Sequence, residues 1–183
     1  MKIILAITAA SGAIYAAQIL ELLITDPKVQ KVALIFSRSA REVADYEAIK
    51  IPNSDKVTEY NVDDLFSPPA SGSAKWSAMI VAPCSVGTMS RIAAGISDSL
   101  ISRAADVMLK ERRKLILVVR EAPLSLIHLR NMTSLTEAGA IIMPASPSFY
   151  GGASTIFELA LTVSRRAVAM AGCADEVDEW QGR

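Results

Sequence analysis

The segment KIILAITAASGA, residues 2–13, places a short apolar run before a turn of small residues. The run from Lys2 to Ile7 has the length and the apolar composition of a buried strand. A helical pattern begins at Ala13, so the turn formed by residues 8–12 leads from a strand into a helix. A strand followed at once by a helix is the first half of a βαβ unit, which indicates a parallel sheet.

The same order recurs along the chain, where four more apolar segments of strand length alternate with helical patterns. The predicted strands are Lys2–Ile7, Lys31–Phe36, Ala78–Ala82, Lys114–Val119 and Ala140–Met143. The predicted helices are Ala13–Thr25, Ser39–Ile49, Val86–Ala94, Asp98–Glu111, Ser125–Ala138 and Ser154–Gly172, with Asp98 and Ser154 as N-caps. The alternation predicts an α/β fold: a single Rossmann-like (flavodoxin-like) domain whose parallel sheet carries helices on both faces.

Length and composition limit the class of protein. The chain has 183 residues, 51% hydrophobic and 21% charged, so we expect one globular domain over residues 1–183. Nineteen basic and nineteen acidic residues leave no net charge, which argues against nucleic acid and anionic lipid as partners. The apolar runs are too short to span a membrane, and two cysteines give no disulfide framework. A cytoplasmic protein is expected.

Two stretches depart from the alternation. Residues 50–77 lack a clear periodicity and include the turn formers Pro68-Pro69-Ala70-Ser71-Gly72-Ser73. A connection of this length is either a functional loop or a surface excursion, and length alone does not decide between them. Its Ser-Gly-Ser centre could offer backbone N–H groups to an anion. Residues 173–183 read as a polar tail that contains Trp180.

Small and hydroxyl-bearing residues follow the first three predicted strands. Residues 8–13 follow the first strand, Ser37 follows the second, and residues 83–88 follow the third. Ligands of doubly wound sheets bind beyond the carboxyl ends of the strands, and a helix N-terminus there can receive a phosphate. Three such turns together favour a phosphorylated cofactor. Helix capping would explain each turn separately and remains the alternative.

Charged residues supply candidate anion contacts, each with a plainer interpretation. Arg120 and Glu121 follow the fourth strand, where they could meet a ligand or pair with each other. Arg103, Asp106 and Lys110 share one polar helix stripe. A solvated, salt-bridged stripe is the default explanation, and it becomes a phosphate site only if a neighbouring chain or loop closes over it.

Four further residues are assigned from their surroundings. Helical geometry places Arg166 beside a buried stripe and directs Arg165 away from it, so Arg166 needs an anion. His128 has no ligand-spaced partner and is interpreted as structural, and no metal site is visible. Cys84 lacks an activating histidine and is interpreted as a small buried residue.

The order of these motifs resembles that of the UbiX-type flavin prenyltransferases over nearly the whole chain, from Lys2 to Trp180. The motifs are Thr8-Ala9-Ala10-Ser11-Gly12-Ala13, Pro68-Pro69-Ala70-Ser71-Gly72-Ser73, Pro83-Cys84-Ser85-Val86-Gly87-Thr88, Arg103-Ala104-Ala105-Asp106 to Leu109-Lys110-Glu111, Val119-Arg120-Glu121-Ala122-Pro123-Leu124, Ile127-His128-Leu129 with Asn131-Met132, and Pro147-Ser148-Phe149-Tyr150. The same flavoprotein superfamily also contains peptidyl-cysteine and phosphopantothenoylcysteine decarboxylases.

The resemblance implies a Rossmann-like flavoprotein that joins a dimethylallyl group from dimethylallyl phosphate to N5 and C6 of reduced FMN. The prenylated FMN would serve UbiD-type decarboxylases. The resemblance also implies an enzyme that needs no metal and a homododecamer with its sites between subunits. Such an assembly would bury the stripe of Arg103 and Lys110 against a ligand.

The resemblance implies a role for each matching residue. The FMN contacts would be Ala9, Ala10, Ser11, Ser37, Ser85, Val86, Gly87, Thr88 and Arg120. The prenyl phosphate would be held by Ser71, Gly72, Arg103, Lys110, Arg120, Tyr150 and Arg166, with Trp180 closing over the site. Ser11, Glu47 and Glu121 match residues that handle protons and the departing phosphate. Many relatives carry Gly where this chain has Ala9, and the added methyl could shift a backbone contact to the flavin phosphate.

Two other functions fit the same motifs. One is a flavin-dependent cysteine decarboxylase of the same superfamily, and the other is a non-catalytic FMN-binding subunit of a decarboxylase. The mass of the flavin after incubation with reduced FMN and dimethylallyl phosphate separates all three.

Overall fold

The computed structural model describes residues 1–173, which form one six-stranded parallel sheet between two layers of helices. The strands are β1 (Lys2–Ile7), β2 (Lys31–Phe36), β3 (Val57–Tyr60), β4 (Ala78–Cys84), β5 (Lys114–Val119) and β6 (Ile141–Pro144). They lie in the order β3-β2-β1-β4-β5-β6, and Leu5 of β1 is in register with Leu34 of β2 and Ile80 of β4. This is the doubly wound order of dinucleotide-binding folds, so the predicted Rossmann-like class is confirmed.

Helices connect the strands and cover both faces of the sheet. They are α1 (Ala13–Thr25), α2 (Ala40–Tyr46), α3 (Val86–Ala93), α4 (Leu100–Lys110), α5 (Leu126–Glu137) and α6 (Ile156–Ala171). Two short 3₁₀ turns, Pro68–Ala70 and Gly72–Ala74, precede β4. None of the helices in the described part of the chain combines the length and the apolar composition needed to cross a bilayer.

Three sequence predictions need correction. The stretch of residues 50–77 contains a sixth strand, β3, which the sequence did not reveal because an edge strand paired on one side can be half polar. The N-caps are Ser99 and Thr155 rather than Asp98 and Ser154, and both form capping boxes. Helix α2 stops at Tyr46 because Ala48 takes a left-handed conformation, with φ 54°.

The core consists of two apolar layers, one on each face of the sheet. Alternate residues of β1 point to opposite faces: Ile3 packs in the layer under α1 and α6, and Ile4 packs in the layer under α3 and α4. Both side chains are 0% exposed. Burial of such a side chain contributes about 1.5–3 kcal/mol, which fixes the central strands and the turns at their ends.

The strand order reverses between β1 and β4, and this reversal positions the site. The connections leave these two strands in opposite directions, so a crevice opens at their carboxyl ends. The amino ends of the strands form a second edge, where Lys2 and Lys114 begin β1 and β5. Strands of six residues separate the two edges by roughly 20 Å.

Candidate active site

Thr8 ties the two strands together at the crevice. Its hydroxyl donates to the Pro83 carbonyl at 2.7 Å and accepts the Ser85 N–H at 2.8 Å. The residue is 1% exposed, so both bonds are shielded from water. Thr8 therefore fixes the position of the turn after β1 relative to the turn after β4. It is a structural residue of the site that its motif alone did not single out.

The turn after β1 is capped by a carboxylate from another helix. Glu47, directly after α2, accepts the Gly12 N–H at 2.8 Å and the Ala13 N–H at 2.7 Å. These are two of the donors at the start of α1 that the sequence offered to a phosphate, and in this chain Glu47 already bonds them and neutralises this helix terminus. Nothing in the sequence signals the contact, because Glu47 lies 35 residues beyond Gly12.

Glu47 remains ionised in this position. Partial burial alone would raise the pKa of its carboxyl, but hydrogen bonds from Ser11, Gly12 and Ala13 and the charge of Arg120 together hold that pKa below its usual value. The Ser11 hydroxyl thus donates to an anion. The structure brings Ser11 and Glu47, two of the three predicted catalytic residues, into direct contact.

Helix α3, in contrast, presents free donors to the crevice. Ser85 caps the helix: its hydroxyl accepts the Thr88 N–H at 3.3 Å and donates to the Thr88 hydroxyl oxygen at 3.1 Å. Within residues 1–173, the N–H groups of Val86 and Gly87 make no hydrogen bond. The turn after β4 therefore offers an anion free N–H groups at a helix start that, among the described residues, no carboxylate caps.

Ser37 and Arg120 lie on either side of the Ala9–Gly12 turn. The Ser37 hydroxyl accepts the Ala9 N–H at 3.1 Å, and the Arg120 Nε donates to the Ser11 carbonyl at 3.3 Å. The Arg120 N–H also bonds the Cys84 carbonyl at 3.2 Å, which joins β5 to the crevice. The turn is thus held from both sides, and its exposed face remains open to a ligand.

Two side chains near Arg120, those of Glu121 and Tyr15, differ from what the sequence indicated. Glu121 accepts the N–H of Ala122 at 3.0 Å and makes no ion pair with Arg120 among the described residues, so the mutual pair that the sequence allowed does not form. Tyr15, which sequence reasoning missed, packs its ring against Gly12, where a Cβ would lie 2.8 Å from it. Burial raises the pKa of Tyr15, and the charge of Arg120 opposes that rise.

A cavity of about 460 Å³ adjoins the crevice at Ser37. It lies beyond the carboxyl ends of β2 and β3 and is lined by Phe36, Ser37, Arg38, Arg41, Glu59, Tyr60, Asn61 and Val62. Its arginines are already paired, Arg38 with Asp63 and Arg41 with Glu59. The cavity thus widens the crevice on one side without adding free cations.

Four of the eight predicted donor-phosphate residues form a second group, around the loop that contains the two 3₁₀ turns. Arg103 donates to the Ala70 carbonyl at 3.2 Å and pairs with Asp106 at 2.8 Å. Lys110 pairs with Glu111 at 2.6 Å. The predicted salt-bridged stripe on α4 is therefore present, and it packs against the Ser71–Gly72 loop.

This second group lies away from the crevice of its own chain. Helix α4 runs antiparallel to the strands, so Lys110 at its end lies near the amino end of β5, which begins at Lys114. The loop reaches the same edge, where Lys2 of β1 donates to the Ala74 carbonyl. Among the described residues, no hydrogen bond or ion pair joins this group to the crevice residues.

Two further predicted ligand residues, Tyr150 and Arg166, are exposed in the described chain. Tyr150, before α6, is 84% exposed. Arg165 and Arg166 on α6 are both exposed, so burial within the described chain does not separate the two arginines as helical geometry had predicted. Trp180 and the rest of the polar tail beyond residue 173 lie outside the described residues.

Cys84 and His128 have the structural roles expected of them. Cys84 is fully buried in β4, and burial raises the pKa of its thiol to about 12, which excludes a thiolate nucleophile at neutral pH. His128 accepts the Ser125 N–H through Nδ1 and completes the capping box of α5. Among residues 1–173, no three His, Cys, Asp or Glu side chains are grouped as metal ligands.

Known proteins share the whole of this architecture. The model of the flavoprotein family matches residues 1–167. A flavin prenyltransferase UbiX of Thermoplasma acidophilum is 42% identical over 180 residues, covering 97% of this chain and 98% of the relative. A crystal structure of AnUbiX (PadA1) in complex with FMN and dimethylallyl pyrophosphate superimposes with a TM-score of 0.91 at 39% identity, over 100% of this chain and 98% of that one.

A second solved structure is a dodecameric FMN-dependent UbiX-like decarboxylase from Escherichia coli O157:H7. It superimposes with a TM-score of 0.90 at 37% identity, and all of both chains is covered. The match extends over both the crevice and the loop at the amino edge. This chain belongs to the flavoprotein family and, within it, to the UbiX-type flavin prenyltransferases.

Proposed function

We propose that this protein is a flavin prenyltransferase that joins a dimethylallyl group from dimethylallyl phosphate to N5 and C6 of reduced FMN. The observation that carries the proposal is the nearly full-length match to flavin prenyltransferases, at 42% identity over 97% of the chain. The crevice adds physical support, because it contains anion donors, an ionised carboxylate and no activated nucleophile among the described residues. Such a site suits a reaction in which the flavin itself attacks the substrate.

FMN fits the groups that the crevice leaves free. The unbonded N–H groups of Val86 and Gly87 at the start of α3, with the hydroxyls of Ser85 and Thr88, suit the phosphate. Ala9, Ala10, Ser11, Ser37 and Arg120 would contact the rest of the molecule. The methyl of Ala9 leaves its own N–H bonded to Ser37, so Ala9 is compatible with this placement. When bound, FMN supplies the nucleophilic N5 and C6 atoms and an aromatic surface that stabilises an allylic cation.

The donor phosphate requires groups from a second copy of the chain. Ser71, Gly72 and Lys110 lie at the amino edge, roughly 20 Å from the crevice of their own subunit. We propose that this edge faces the crevice of a neighbour in a homo-oligomer, and the dodecameric state of the Escherichia coli O157:H7 relative supports an oligomer. Arg103 would accompany these groups. Arg120, Tyr150, Arg166 and Trp180 would complete the donor site.

The charged residues would act on the bond that breaks. Cleavage of the allylic C–O bond leaves a phosphate with additional charge, and arginine side chains can bind it bidentately. Within residues 1–173, the Glu121 carboxylate bonds only the N–H of Ala122, so it is placed to transfer a proton at the crevice. Glu47 is ionised, so its part is to accept the hydrogen bond of the Ser11 hydroxyl and orient that hydroxyl rather than to supply a proton.

The product and the location of the protein extend the same proposal. Prenylated FMN would pass to a UbiD-type decarboxylase as its cofactor. A cytoplasmic location is supported by the free thiols of Cys84 and Cys173 in the described chain.

The experiment incubates the protein with reduced FMN and dimethylallyl phosphate without oxygen, and then determines the mass of the released flavin. A gain of one C5H8 unit is the expected result. A companion variant replaces Lys110 by Ala and so removes an exposed cation of the amino edge. It should slow the gain of the C5H8 unit without loss of bound FMN. Unchanged FMN with the unaltered protein would refute the proposal.

A further inference from the structure

We propose that Arg113 is a positioning residue for the prenyl donor: it fixes the Ser71–Gly72 loop at the amino edge. This inference rests on the proposed function, because that function places the donor phosphate against the loop. Arg113 follows α4 and is separate from the residues assigned to the donor so far. Its side chain is 21% exposed, less than the paired side chains of Arg103 at 36% and Lys110 at 48%.

Three cations hold the loop through its backbone carbonyls. Arg103 bonds the Ala70 carbonyl at 3.2 Å, Arg113 bonds the Gly72 carbonyl at 2.8 Å through Nη2, and Lys2 bonds the Ala74 carbonyl. Arg113 makes the middle contact. The Gly72 carbonyl that it bonds belongs to the residue between Ser71 and Ser73 in the sequence. A carbonyl fixed in this way sets the direction of the adjoining N–H groups, which a donor phosphate would use.

Glu111 connects the same arginine to Lys110. Its carboxylate pairs with Lys110 at 2.6 Å through one oxygen and with Arg113 at 3.4 Å through the other. Gly72 lies against this carboxylate, since a Cβ there would be 2.5 Å from Oε1. The hydrogen bond from Lys110 lowers the pKa of Glu111, so the carboxylate stays charged at neutral pH. Loop and lysine are thus held as one unit by the Arg113–Glu111 pair.

Burial makes the guanidinium hard to replace. Nη1 of Arg113 is fully buried and has no hydrogen-bond partner within the described residues, so the group already carries a desolvation cost. A cation that is buried without full hydrogen bonding lowers the free energy of unfolding, whereas an exposed cation could hold a loop without that cost. Nη2 alone makes both contacts, with the Gly72 carbonyl at 2.8 Å and with the Glu111 carboxylate at 3.4 Å, so one nitrogen joins the loop to Glu111.

The test compares Arg113→Ala and Arg113→Lys with Arg112→Ala in the assembled protein. Arg112 is the matched control, an exposed neighbour whose side chain makes no hydrogen bond or ion pair among residues 1–173. We expect Arg113→Ala to raise KM for dimethylallyl phosphate at least tenfold, to change kcat less, and to leave FMN affinity within about twofold. Arg113→Lys should recover part of the loss, because an ammonium can still bond the Gly72 carbonyl.

Hydrogen exchange of the peptide over residues 68–76 supplies a readout besides activity. The N–H groups of Ser71, Ala74 and Lys75 bond carbonyls within the loop, so they should exchange faster in Arg113→Ala and not in Arg112→Ala. Gly72→Ala is the second variant, in case Arg113→Ala does not fold. It displaces Glu111 without touching a buried side chain and should raise the same KM.

The outcomes separate this proposal from the proposed function. A parent protein that does not prenylate FMN would overturn both. An active parent whose Arg113→Ala and Gly72→Ala variants keep the parental KM would overturn the role of Arg113 alone, even if the loop exchanged faster. An equal rise of KM in Arg112→Ala would also overturn it.

Discussion

Replacement of Glu47 by Gln tests the capping of α1 and predicts a measurable loss of stability. The carboxylate accepts N–H groups from Gly12 at 2.8 Å and from Ala13 at 2.7 Å. The amide keeps one acceptor oxygen but turns an NH2 group toward the other donor. One hydrogen bond to a charged group is therefore lost, and so is a negative charge at a helix N-terminus.

The two losses can be given rough sizes. A hydrogen bond to a charged group contributes about 1.5–3 kcal/mol, and the helix-terminus charge contributes about 0.3–1 kcal/mol. Because Glu47 is only partly buried, solvent screening reduces the sum, and we expect a loss of about 2 kcal/mol. For a chain of this size that corresponds to a fall in Tm of roughly 4–8 °C.

The loss should depend on pH in a defined direction. The pKa of Glu47 is lower in the folded than in the unfolded chain, so its stabilisation is present above the unfolded value, about 4.3, and disappears as pH falls through the folded value. The difference in Tm between parent and Glu47→Gln should be full at neutral pH and shrink below about pH 4.

Thermal unfolding by circular dichroism across this pH range measures the effect. Glu21→Gln is the control, because Glu21 is an exposed acid of α1 whose side chain makes no bond among the described residues. A Tm at neutral pH equal to that of the parent would refute the capping argument. A difference that persisted unchanged at acid pH would refute its electrostatic part.

Three other substitutions test neighbouring contacts. Thr8→Val removes the hydroxyl between Pro83 and Ser85 at nearly constant volume and should cost about 1–3 kcal/mol of unfolding free energy, measured by urea denaturation; no change would mean that the tie between the strands is weak. Ser37→Trp should abolish FMN retention, read from flavin absorbance, and equal flavin in the folded variant would remove Ser37 from the site. Arg166→Ala should weaken dimethylallyl phosphate binding roughly tenfold by titration while Arg165→Ala changes it little, and a larger loss for Arg165→Ala would place the donor on the other face of α6.

Three of the four strands that are buried on both faces could be predicted to the residue, whereas β4 continues past the predicted end at Ala82 to Cys84. The bounds of β1, β2 and β5 agree with the sequence, because a fully buried parallel strand is a continuous apolar run between turn formers. Strand β3 could not be found this way. Its sequence Val-Thr-Glu-Tyr leaves Glu59 on the surface, and pairing with β2 rather than apolar burial makes it a strand.

The candidate site was predictable only as far as local sequence determines it. The turns after β1 and β4 and the polar stripe on α4 follow from strand ends and helical spacing. The contact of Glu47 with Gly12 and that of Arg113 with Gly72 join residues 35 and 41 positions apart, and no periodicity encodes them. The amino-edge position of Lys110 could have been derived, because a crossover helix runs antiparallel to its strands.

Because the crevice and the amino-edge loop lie apart, each subunit contributes half of two different catalytic sites, each completed by another subunit. Under the proposed function, a chain with a blocked crevice still contributes an intact loop to the site of the next subunit. A chain with a damaged loop still contributes an intact crevice. Oligomers assembled from both defective chains would then contain some intact pairings. Two inactive proteins could restore catalysis when mixed and reassembled, and one defective chain in a mixed oligomer would affect two catalytic centres.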